Sequence, residues 1–125
     1  MSDPSAIYGE SFSVGATSSS DSIASFSSRG PVTIDGSKRL KPDISAPGVD
    51  IRSSTRDGGY QGGWDGTSMA GPHVAGLVAL LVSASPGLAG DVDTIEEVIE
   101  QTADTLTSSQ GCGGIGSTEI PNNVY

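Results

Sequence analysis

The chain has 125 residues, 34 % of them hydrophobic and only 5 % aromatic, with 18 glycines. That bounds it to one small domain and leaves it lean for a self-sufficient core, because small domains bury a smaller share of their surface. It is therefore expected to be part of a larger fold. The formal net charge of −9, with six acids and no base from Asp91 to Asp104, argues against nucleic acid, whose binding depends on neutralising phosphates.

No apolar run is expected to reach transmembrane length, and the start lacks a basic segment followed by an apolar one, so no membrane span and no signal peptide are expected. The single cysteine, Cys112, rules out an internal disulfide. It is either an inert loop thiol or one half of a bridge to a cysteine outside this sequence.

Phe12-Ser13-Val14-Gly15-Ala16 reads as a short buried strand, followed by the serine run Ser18-Ser19-Ser20. Ser22-Ile23-Ala24-Ser25-Phe26 fits a half-buried strand or a bend, broken by Gly30-Pro31. Ile34-Asp35-Gly36-Ser37 carries a turn signal, and Lys38, Arg39 and Lys41 predict a basic, exposed limb after it. Asp43-Ile44-Ser45-Ala46 predicts a strand stopped by Pro47-Gly48, and Val49-Asp50-Ile51-Arg52 another. Asp57-Gly58-Gly59 and Gly62-Gly63 predict a loop around Tyr60.

The longest element is a helix from about Ser68 to Ala84. Its apolar residues, among them Met69, Val74, Leu77, Val78, Leu80 and Leu81, point in nearly every direction, which predicts a helix covered on all sides. Pro72 falls near its first turn, where a missing N–H costs little, and Pro86-Gly87 ends it. A second helix, about 93–105, places Ile95, Val98, Ile99, Thr102 and Leu106 on one face and is expected to pack on the outside. Asp93 and Glu96 predict a capping box there. The tail from Ser108 is Gly-rich and irregular. Strands alternating with helices give an α/β class with a mainly parallel sheet.

Ser68 stands where a Gly-rich approach meets this apolar helix. The first N–H groups of a helix lack intrahelical partners, so a hydroxyl there suits a nucleophile beside an oxyanion site. A serine needs a base to take its proton. The one histidine, His73, lies five residues on, about 500° of rotation and ~7.5 Å of rise away. It is expected to be a buried structural histidine, out of reach of Ser68. Asp65, the nearest acid, is expected to face solvent on its loop.

Gly66-Thr67-Ser68-Met69-Ala70-x-Pro72-His73-Val74-Ala75-Gly76 resembles the nucleophile motif of the subtilisin-like serine proteases, the subtilases. The resemblance also takes in Val14-Gly15-Ala16, the segment Ile23 to Pro31, and Lys41-Pro42-Asp43-Ile44-Ser45-Ala46-Pro47-Gly48, in the family's order. It implies a partial subtilisin-like fold, with residues 1–125 as the C-terminal segment of the peptidase domain, its first half and final helix missing. It implies a secreted serine endopeptidase that forms an acyl-enzyme on Ser68 and takes peptide or protein substrates. In that family the triad runs Asp, His, Ser along the chain. No Asp-Thr/Ser-Gly or His-Gly-Thr motif occurs here, nor the upstream asparagine that donates to the oxyanion.

Asn122 and Asn123, in a segment from Ile120 that looks like the lead-in to the family's closing turn, do not match that asparagine. The isolated chain is therefore expected to be inactive and, with its apolar helix lacking the cover of the missing half, to be weakly stable or to self-associate. Residues around Ser5-Ala6-Ile7-Tyr8 form either a wall of the specificity pocket or a disordered start. No metal and no cofactor are expected. The alternative function is a non-catalytic scaffold or binding module, a pseudoprotease, although that would have little use for an intact Ser68 motif. A stand-alone hydrolase would need another partner for Ser68.

Overall fold

Val14–Thr17 (β1) and Ile44–Pro47 (β2) pair in parallel, with Val14 opposite Ile44 and Thr17 opposite Pro47. The computed structural model describes residues 1–2, 4–112 and 122–125; Ile120 and Pro121 of the expected closing lead-in lie outside them. The pair is built from small residues because it is tightly packed. A Cβ on Gly15 would fall 2.5 Å from Ser45 Oγ and 3.0 Å from Pro42 Cγ. The stretch 22–26 contributes one antiparallel bridge, Ile23 to Thr17, and no longer strand.

Ile51–Ser54 (β3) pairs antiparallel with Tyr60–Trp64 (β4). The sequence predicted a loop around Tyr60; the structure makes it the second strand of a hairpin. The reason lies in the turn. Thr55 N–H donates to Gly59 O at 2.9 Å, Gly58 N–H donates to Thr55 O at 3.0 Å, and Gly58 takes φ 83°, which glycine adopts without penalty. Arg52 then stacks over the Tyr60 ring, 4.9 Å from its centroid. The glycines of β4 hid the alternation that would have marked it. The described residues thus hold a small parallel pair, as the α/β class expected, with one antiparallel hairpin beside it.

Helix α2 spans Thr67–Ala84 and packs on β1 and β2. Only Ala70 and Val74 of it are buried, whereas Leu77 is 43 % and Leu80 70 % exposed. The expectation of a helix covered all round is therefore corrected: among the described residues one face is covered. By length and composition, with 18 residues and mean hydropathy 1.4, α2 does reach the range of a membrane-crossing helix, which corrects the expectation of no such run. Its docked face is that of a core helix.

A 3-10 turn, Pro86–Leu88, leads to α3, Val92–Thr102. The cap of α3 is Asp91, not the expected Asp93. Asp91 accepts Thr94 N–H at 3.3 Å and Thr94 Oγ1–H at 2.8 Å, satisfying one of the helix's orphan donors. The helix stops at Thr102 rather than 105 because Ala103 is extended. Ile95 and Ile99 turn inward and join Ala16, Ala24, Ala46, Ala70 and Val74 in one core. At the start, Pro4–Ile7 (α1) is a single helical turn and Tyr8 is exposed. Lys38 and Arg39 are exposed as expected, but Lys41 is only 3 % exposed.

Candidate active site

Ser68 is the second residue of α2 and is exposed. Gly66 precedes the helix with φ 152° and supplies no side-chain cap. The N–H groups of Thr67 and Ser68 therefore lack the acceptors that helix interiors provide. They point outward at the positive end of the helix dipole, which favours a developing negative charge. The Ser68 hydroxyl has no hydrogen-bond partner among the described residues. It opens onto a cleft of 370 Å³ whose walls include Ile51 and Trp64 of the hairpin, Met69, Pro72 and His73.

The loop before Ser68 is held from below. Gly66 N–H donates to Gly48 O at 2.8 Å, and Gly48 N–H donates to Thr17 O at 2.8 Å. The strand pair thus sets the height and direction at which the helix begins.

His73 shares the cleft wall without joining Ser68. Its Nδ1–H donates to Met69 O at 2.9 Å; a carbonyl only accepts, so the proton lies on Nδ1. The expected local hydrogen bond near the helix start is present, but the ring is exposed rather than buried, because α2 is covered on one face only. Asp65 faces solvent as expected. Its carboxylate is nevertheless engaged, accepting Asp50 N–H at 2.7 Å. Nothing local marks that contact beyond an Asp before a glycine.

Asn122 and Asn123 are buried and serve the tail. Asn122 Nδ2–H donates to Leu106 O at 3.0 Å and Asn123 Nδ2–H to Cys112 O at 3.1 Å. Cys112 is a free thiol. No group of three or more His, Cys, Asp or Glu side chains arranged to hold a metal ion occurs among the described residues.

A parallel strand pair bearing an apolar helix that opens on a serine is an α/β arrangement of the subtilisin-like kind. Residues 1–114 match the model of the subtilase family, and the chain belongs to that family. It is 47 % identical over 118 residues to Bacillopeptidase F of Bacillus subtilis (strain 168), covering 94 % of this chain and 8 % of that protein. It is 43 % identical over 115 residues to the minor extracellular protease Vpr of the same organism, covering 83 % of this chain and 14 % of that protein.

A subtilisin of Bacillus pumilus matches at 41 % over 102 residues, covering 82 % of this chain and 33 % of that protein. Among solved structures, a cold-adapted subtilisin-like serine proteinase superposes with a TM-score of 0.61 at 36 % identity, covering 86 % of this chain and 34 % of that one. The fold is accordingly a partial α/β subtilisin fold, and the chain spans a third or less of these relatives.

Proposed function

We propose that this chain is the serine-bearing, C-terminal segment of a subtilisin-type serine endopeptidase domain, and that Ser68 is its nucleophile. The observation that carries the proposal is the placement of Ser68 at the second position of a helix without a side-chain cap, its hydroxyl unpartnered among the described residues, at the mouth of a cleft. Membership in a family whose members named above are proteases supports it.

Chemically, Ser68 Oγ attacks the scissile carbonyl of a peptide. Its proton passes to a histidine, which an aspartate orients. Both come from sequence preceding this chain. The carbonyl oxygen becomes an oxyanion and accepts the Ser68 backbone N–H, a donor that the helix start keeps unpaired. Collapse of the tetrahedral species expels the amine, protonated by the same histidine, and leaves an acyl-serine that water hydrolyses. His73 is not assigned as that base: its Nδ1–H is held by Met69 O, and five residues along the helix carry its ring to another face, with no hydrogen bond to Ser68 among the described residues.

The chain alone, without base, orienting acid or asparagine donor, is expected to be inactive. Secretion of the whole protein is supported by a relative described as extracellular.

The test is complementation. This chain is co-refolded with a segment carrying the family's Asp, His and Asn motifs and assayed on an unstructured peptide and a fluorophosphonate probe. Hydrolysis and labelling that vanish in Ser68→Ala are expected. A folded complex without Ser68-dependent hydrolysis would overturn the proposal and favour the pseudoprotease.

A further inference from the structure

Two short segments far apart in sequence are joined beneath Ser68. The turn after β2 reaches the approach to α2 at two points. Gly48 O accepts Gly66 N–H at 2.8 Å, and Asp50 N–H donates to Asp65 Oδ1 at 2.7 Å. The first link is backbone to backbone and needs no particular side chain at 65 or 66. The second needs a side-chain acceptor of aspartate length at position 65. Asp50 holds φ 55°, a left-handed conformation that costs a non-glycine residue free energy. That conformation presents its N–H across the gap, so the contact has to outweigh a local cost.

We infer that Asp65 is a positioning residue for Ser68: by accepting the Asp50 N–H it clamps the start of α2 to the β1–β2 pair and so fixes Ser68 Oγ and Ser68 N–H relative to the cleft. The inference rests on the protease proposal above and deepens it. Gly66 lies between the clamp and the nucleophile, and its φ of 152° is a conformation that offers little stiffness of its own. Without the side-chain link, the approach is held only on either side of position 65, by the Ile51–Trp64 pairing of the hairpin and the Gly48–Gly66 bond, and can pivot between them. Displacement of a reacting group by about 1 Å costs on the order of 100-fold in rate. A carboxylate is not required for its charge in this role, only for an acceptor oxygen in that place. The amide of asparagine offers the same oxygen.

The test uses the full-length protease that contains this chain, with Asp65→Ala and Asp65→Asn variants. In Asp65→Ala, kcat is expected to fall about 10- to 100-fold with KM within a few-fold. Asp65→Asn is expected to restore kcat to near the parent value. Amide hydrogen exchange on the same proteins is expected to show faster exchange at Asp50 and Gly66 in Asp65→Ala only.

Asp65→Ala with unchanged kcat, or Asp65→Asn as slow as Asp65→Ala, would overturn the inference. If the parent protein shows no Ser68-dependent hydrolysis, the protease proposal fails by itself and exchange decides the clamp: unchanged exchange at Gly66 in Asp65→Ala rejects it. A loss of thermal stability with kcat intact would identify the contact as purely structural and equally reject it.

Discussion

Lys41 Nζ and Asp43 Oδ2 lie 2.5 Å apart, with the lysine side chain 3 % and the aspartate side chain 19 % exposed. Lys41 Nζ also donates to Ser11 O at 2.7 Å, and the same Asp43 oxygen accepts Ser13 N–H at 2.6 Å and Ser13 Oγ–H at 2.9 Å. The pair therefore knots the lead-in of β1 to the lead-in of β2. Removing one partner of a buried pair costs about 3–5 kcal/mol, because the other charge is left uncompensated. Lys41→Met is expected to fall near the lower end, about 3 kcal/mol, since Asp43 keeps its serine partners and some water. Denaturant unfolding of the folded protein measures it; a change under about 1 kcal/mol would show that the knot is dispensable.

The sequence placed this limb on the surface, and the reason is instructive. A lysine between Leu40 and Pro42, close to Lys38 and Arg39, carries no local sign of burial. Its partner Ser11, and the Ser13 that binds its counter-ion Asp43, are each 30 positions away. The same distinction runs through the molecule. The two long helices and the parallel strand segments were legible, because periodicity and the Pro-Gly stops are local. The family was legible because the segments that carry the resemblance are contiguous. What was not legible depends on contacts across the chain: the hairpin strand Tyr60–Trp64, the exposure of His73, and the Asp65–Asp50 clamp. The cap at Asp91 was missed for a smaller reason, since two acids two residues apart offer equal local signals.

Gly48 is the tightest point under the candidate nucleophile. A Cβ there would fall 2.7 Å from both Ala16 Cβ and Gly66 O, and 3.3 Å from Ala70 Cβ. All three neighbours are backbone or buried core and cannot step aside. Overpacking of this kind costs about 1–3 kcal/mol. Gly48→Ala is expected to lower stability by that amount and, in the complemented enzyme, to lower kcat more than KM. Normal stability together with unimpaired kcat would show that the contact yields easily.

His73 lines the cleft with its Nδ1–H held by Met69 O, and among the described residues no hydrogen bond joins its ring to Ser68. In the complemented enzyme, Ser68→Ala is expected to abolish hydrolysis. His73→Gln is expected to reduce it less than about 10-fold, against the 10²–10⁴-fold that a general base supplies. The acid limb of the pH–rate profile is expected to persist in His73→Gln. Its disappearance would make His73 the base and reverse the assignment.

The carboxyl of Glu100 is pushed above its ordinary value of 4.5, first by partial burial and then by the negative charges of Asp43 and Glu96, with Lys41 opposing. A raised folded-state value means that the native state binds the proton more tightly than the unfolded chain. Its stabilising contribution is thus complete at pH below 4.5 and is lost as pH rises through the folded value. Glu100→Gln is expected to be more stable than the parent at pH 7 and equal to it at pH 3.5. The side chain is largely exposed, so the gain stays within about 0.5 kcal/mol. Paired unfolding curves at the two pH values check the sign; a variant less stable at pH 7 would show that Glu100 is held by a favourable partner.

The far side of α2 carries the largest consequence for the chain studied by itself. Leu80 is 70 % and Leu77 43 % exposed, on an 18-residue helix without a charged residue. Exposed apolar area of this kind favours association, whereas a net charge of −9 opposes it through self-repulsion. Salt decides between them, since at 0.15 M the screening length is about 8 Å and repulsion between whole molecules is largely lost. The isolated chain is therefore expected to associate increasingly as salt is raised. Leu77→Gln with Leu80→Gln is expected to return it to a monomer, because the association surface is removed while Ala70 and Val74 still dock on the strands. Light scattering across a salt series distinguishes the cases. A wild-type chain that stays monomeric at high concentration and high salt would show that this face needs no cover.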